Sequence, residues 1–95
     1  MKGEVVTLIT NMQSEIVGKL ISKDAEGEFI RLEHPRLFVP AQHDGGNPGF
    51  APGYTMTGVV EPSEGTFNRT GVLSITLTHP DIESAWRQAT SGIIT

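Results

Sequence analysis

The chain contains no cysteine, which excludes disulfides, thiol nucleophiles and thiolate metal centres. It has no apolar run near the ~20 residues of a membrane span. Its opening, MKGEVVTLIT, carries a glutamate and no sustained apolar core. Neither a signal peptide nor membrane association is expected, and a cytoplasmic setting is. Basic residues are scarce too: seven Lys and Arg stand against eleven Asp and Glu, a net charge of −4. Broad, sequence-blind attachment to nucleic acid needs a basic surface and is excluded, whereas a small local site is not. No internal repeat and no heptad pattern is present, so solenoids and coiled coils are out.

What remains is a sequence of 95 residues, 37% apolar and 19% charged. That is the balance of a folded chain with one domain, 1–95, and one modest core. The stretch around which it is organised is EIVGKLISKDAEGEFIRLEH, residues 15–34. It reads as two strands, 15–23 and 27–34, joined by a polar turn in which Gly27 supplies a positive φ. Gly18 falls in the middle of the first strand, where glycine packs nothing and commonly marks a bulge or the corner of a small barrel. Period-two alternation turns Ile16, Leu20, Ile30 and Leu32 inward.

Ahead of this hairpin, the β-branched run at 4–10 predicts a strand. Behind it, Leu37-Phe38-Val39 is a brief apolar run beyond Pro35. Residues 40–53 hold four glycines and three prolines and form a long loop. The run at 54–60 predicts a fourth strand and 72–78 a fifth, with Leu73, Ile75 and Leu77 facing in. Ile82, Trp86 and Ala89 recur at helical spacing with Ala85 beside them, so a short helix is expected over 82–90, capped by Asp81 and closed by Gly92. The fold expected is all-β: five antiparallel strands in a small, strongly bent barrel, with a C-terminal helix packed on it or on a neighbouring subunit.

No catalytic constellation emerges. Ser74 lies within a strand and no G-x-S-x-G elbow exists. Asp24, Glu26 and Glu28 crowd a hairpin tip, the usual place of a solvated turn. His34, His43 and His79 have no recognised ligand spacing, and the glycines of GGNPG match no phosphate-binding pattern. No enzyme activity, metal or cofactor is expected. For single-stranded RNA, the groups to consider are Lys23, Arg31 and Arg69 with the aromatic Tyr54 and Phe67.

Val5-Val6-Thr7-Leu8-Ile9, Glu15-Ile16-Val17-Gly18-Lys19-Leu20, Asp24 and Phe29-Ile30-Arg31-Leu32 together resemble the first motif of the Sm-like (LSm) family, over about residues 4–34. The short, acidic chain is most similar to small divergent members of phage or environmental type. The resemblance implies an SH3-like barrel of five strands and a closed homo-oligomeric ring of about five to seven subunits. Subunits would join through the edges of the last two strands, here Tyr54, Met56, Gly58, Leu73, Ile75 and Leu77. It also implies RNA binding at Asp24, Gly27, Glu28, Arg69 and Gly71. Two departures stand out. The family's base-contacting asparagine aligns with Glu28 and its stacking residue with Gly27. The second motif, an arginine-glycine pair, is only approximated by Arg69-Thr70-Gly71. A ring acting as a structural or interaction scaffold without RNA binding is the alternative.

Overall fold

A computed structural model gives the fold; it describes residues 2–23, 28–40 and 47–91, and for 22 and 23 the backbone alone. Among the described residues, six strands and one helix follow in order: β1 (Val5–Thr10), β2 (Glu15–Lys23), β3 (Phe29–Val39), β4 (Gly49–Phe50), β5 (Glu64–Asn68), β6 (Val72–Leu77) and α1 (Pro80–Thr90), with a 3-10 turn at Arg69–Gly71. The strands form an antiparallel sheet ordered β4-β3-β2-β1-β6, and β5 pairs with β3 beside β4. Among the described residues, β5 and β6 are each paired along one edge only, and no ladder closes the sheet.

The β2–β3 hairpin is the spine. Its register slips by one residue at two places, between Val17 and Lys19 and between Leu20 and Ser22. At the first, Gly18 faces both His34 and Pro35, so β3 carries the extra residue. His34 takes a positive φ of 51° there, a conformation that turns the strand. Gly18 is needed at this corner: a Cβ on it would stand 3.0 Å from the Leu32 Cβ and 3.1 Å from the Glu33 carbonyl oxygen. Pro35, which cannot donate to a ladder, sits in the bulge, and pairing resumes beyond it through Arg36 and Leu37. That is why β3 runs on to Val39 instead of stopping at His34.

Alternation divides the apolar residues between two faces. Val6, Leu8, Ile16, Leu20, Ile30 and Leu32 form the main core, with Leu37, Tyr54, Phe67, Val72 and Ile75 packed against it. On the opposite face Val5 and Val17 are buried under Trp86 of α1, with Ile82 and Phe50 alongside. The helix is held there by the Trp86 indole N–H, which donates to the His34 carbonyl at 2.9 Å. Its buried stripe is Ile82, Trp86 and Thr90 at four-residue steps; Ala85 and Ala89, expected on that stripe, are exposed. The cap is also two residues earlier than expected, at His79 instead of Asp81. His79 Nδ1 accepts from the Asp81 N–H at 3.1 Å, because Pro80 lacks an N–H and its fixed φ suits the first helical position.

Two further expectations are corrected. The run at 54–60 is not a strand; the fourth long ladder is made by β5 instead, and β4 adds a two-residue pairing with Phe38 and Val39. The reason is local. Gly53 accepts from the Leu37 N–H at 3.0 Å, and Glu61 N–H then donates to the Pro52 carbonyl at 2.8 Å. The chain between them is pinched off as a compact loop. In β6, Ile75 packs on the core as expected, together with Val72, whereas Leu73, which falls where the ladder shifts register between Ile9 and Thr10, and Leu77 are exposed. The expected turn at Asp24 and Gly27, the helix stop at Gly92, and His43 lie outside the described residues.

Candidate functional site

β5 ends, and β6 begins, beside the start of β3. Asn68 pairs with Phe29, and the Arg69 N–H donates to the Glu28 carbonyl at 2.8 Å. This tie brings Glu28 and Arg69, 41 positions apart in the chain, to one place. Asn68 then sets the 3-10 turn: its Oδ1 accepts from the Thr70 N–H at 2.9 Å and from the Thr70 hydroxyl at 2.8 Å. The Val72 N–H closes the turn by donating to the Arg69 carbonyl. The result is an open cleft of about 440 Å³ lined by Glu28, Asn68, Arg69 and Thr70. It is lined by one guanidinium, one carboxylate, an amide and a hydroxyl, all of which can take part in hydrogen bonds.

Gly71 ends the turn. Nothing lies within 4 Å of a Cβ built on it, so its value is open space at the lip of the cleft, and its carbonyl accepts from the Asn11 N–H at 3.1 Å. Three further groups considered for RNA touch other side chains. Arg31 pairs with Glu64, its Nε lying 3.0 Å from Oε1. Tyr54 and Phe67 pack on each other with centroids 4.9 Å apart, both half-buried against the core. Phe29 was passed over in the sequence, yet it is 42% exposed and is the cross-strand neighbour of Asn68. Its signal was parity: it shares the outward face with Arg31 and Glu33.

Arg36 was also missed. It is 1% exposed, the largest fully buried side chain described. Its Nη1 donates to the Pro35 carbonyl at 2.8 Å and the Pro62 carbonyl at 3.0 Å, while Nη2 has no protein partner. Burial holds its pKa below the usual arginine value, and the charge of Glu61 opposes that shift. An arginine directly after a proline in an otherwise apolar run was the available signal. Its role is structural, since it pins Pro62 to β3 at the foot of the 53–61 loop. Among the described residues, no group of three or more His, Asp and Glu side chains is placed to hold a metal ion, and no helix is long and apolar enough to cross a membrane.

No protein-family model matches the chain, and no curated protein matches it.

Proposed function

We propose that this chain is a non-enzymatic Sm-like subunit that assembles into a homo-oligomeric ring of about five to seven copies. Single-stranded RNA, or a protein that travels with it, binds at the cleft of Glu28, Asn68, Arg69 and Thr70. The observation that carries the reading is the strand order. β5 and β6 stand at opposite ends of the path β5-β3-β2-β1-β6, yet a three-residue turn joins them. Laid flat, four strand spacings come to roughly 19 Å, whereas a 3-10 turn rises only about 2 Å per residue. The short connection supports a sheet rolled toward a barrel, with its corner at Gly18. The two outer edges that remain are the ones a ring would use between neighbours.

Within the cleft, Arg69 supplies the charge for phosphate. Asn68 and Thr70 supply groups for a base edge, and Phe29 a face for stacking. Glu28 accepts hydrogen bonds and repels phosphate, so it selects base edges rich in N–H donors. Repetition around a ring turns several weak contacts into one useful affinity.

The test is mass in solution by light scattering, with and without a short single-stranded RNA of mixed sequence. A discrete assembly of five to seven copies that co-elutes with RNA is expected. If about six phosphates are neutralised around the ring, affinity for a single strand falls by about 300-fold between about 50 and about 200 mM salt. Arg69→Ala removes binding while leaving the assembly. A monomer sinks the reading.

The second reading is a ring that serves as an interaction scaffold without RNA. The acidic residue in the cleft favours it, as do the exposed Met56, Val59 and Val60. A discrete ring indifferent to RNA at low salt selects it.

A further inference from the structure

Glu28 is one of the positions at which the chain departs from the Sm-like pattern, so what it reads follows from its own chemistry and its neighbours. It is exposed and lines the open cleft with Asn68, Arg69 and Thr70. An ionised carboxylate accepts hydrogen bonds and donates none.

The turn fixes the hydrogen-bonding sense of the groups opposite. Asn68 Oδ1 accepts from both the Thr70 N–H at 2.9 Å and the Thr70 hydroxyl at 2.8 Å. A backbone N–H only donates, so this amide cannot be flipped, and the group Asn68 has left to offer is Nδ2, a donor. The Thr70 hydroxyl has given its proton to Asn68 and offers lone pairs. The turn itself is tied down by the Arg69 N–H on the Glu28 carbonyl at 2.8 Å and by the Val72 N–H on the Arg69 carbonyl. Acceptors at Glu28 and Thr70 and a donor at Asn68 are thus set before any ligand arrives, which lowers the cost of binding one.

The bases of single-stranded RNA expose their Watson–Crick edges, and these edges differ. Uracil presents one N–H between two carbonyls, and both carbonyls turn lone pairs toward a carboxylate. Adenine and cytosine each present an amino group beside a ring nitrogen that accepts, so a carboxylate gains one bond and meets one lone pair. Guanine places two donors, N1–H and N2–H, side by side, which matches the two oxygens of a carboxylate. Its O6 is next along the edge and accepts.

We propose that the cleft selects guanine. Glu28 accepts from N1–H and N2–H, Asn68 Nδ2 donates to O6, and Arg69 holds the neighbouring phosphate. The inference rests on the RNA reading above and deepens it by naming the base.

The test is fluorescence anisotropy at low salt with short labelled strands. In these, adenosine alternates with guanosine, inosine, cytidine, uridine or a further adenosine. The guanosine strand binds at least about tenfold more tightly than the adenosine, cytidine and uridine strands. Inosine keeps N1–H and O6 but lacks the 2-amino group, so its strand falls between. Glu28→Gln removes the preference, because an amide cannot accept at both ends; the position is exposed, and circular dichroism checks the fold. A preference that survives Glu28→Gln, or an inosine strand equal to the guanosine strand, overturns the two-bond pairing at Glu28. Equal binding of all five strands, or a preference for another base, overturns guanine selection; loss of that binding in Arg69→Ala leaves the RNA reading standing. Failure of every strand to bind overturns both.

Discussion

At the scale of single residues, Gly18 and Arg36 govern the corner of the molecule from opposite strands. Gly18 is small so that Leu32 can cross it. A methyl group there meets the Leu32 Cβ at 3.0 Å and the Glu33 carbonyl at 3.1 Å, and neither can withdraw without moving the β3 backbone. Gly18→Ala therefore destabilises the fold by about 1–3 kcal/mol, read as a lower urea midpoint with the slope unchanged. Gly18 was legible in the sequence because a glycine inside an apolar β-pattern has few uses. Arg36 was not, because period-two alternation marks which residues turn inward only where the register is regular. The bulge at His34 and Pro35 resets the parity of β3, so Leu37 takes the main-core side and Arg36 pairs with Val17 on the opposite face, where it is buried.

At the scale of elements, α1 shows how much hangs on one side chain. Trp86 supplies both the apolar contact on Val5 and Val17 and the hydrogen bond to the His34 carbonyl. Trp86→Ala costs about 3–5 kcal/mol and releases the helix. Trp86→Phe keeps most of the packing but leaves that carbonyl without its donor, at about 1–2 kcal/mol. Denaturant melts followed by circular dichroism separate the two, since only the alanine variant loses helical signal before the sheet unfolds. Helical spacing around Trp86 made the helix readable beforehand. β5 was harder. Glu64–Asn68, EGTFN, carries one large apolar residue, while the better-looking run at 54–60 is looped out between the Leu37 to Gly53 bond on β3 and the Glu61 to Pro52 bond. Hydrogen bonds made to a distant strand overrode local β-propensity there. The cleft was half legible: Glu28 and Arg69 were named on sequence grounds, whereas Phe29 and Asn68 depend on a pairing that required knowing where β5 lies.

At the scale of the whole molecule, the described surface divides by charge. The cleft side presents Glu28 and Arg69, whereas the 51–60 loop and β6 present none. Salt then acts on the two proposed contacts in opposite directions. Raising salt from about 50 to about 500 mM weakens RNA at the cleft and screens the repulsion between acidic copies, which strengthens assembly. Titrating salt against both mass and RNA co-elution checks this, and parallel losses of the two count against it. The β1–β6 ladder, described above only as a pairing, has a consequence for how the chain reaches its fold. β1, β2 and β3 are neighbours in sequence and can zip as hairpins. The Thr7 to Thr78 hydroxyl bond beside β6, in contrast, bridges 71 residues. Closing so long a loop costs entropy before it returns contact energy, so β6 arrives late, as the latch on a structure already formed. In stopped-flow chevrons, Ile75→Val accelerates unfolding and leaves the folding rate nearly unchanged, while Leu20→Ala slows folding.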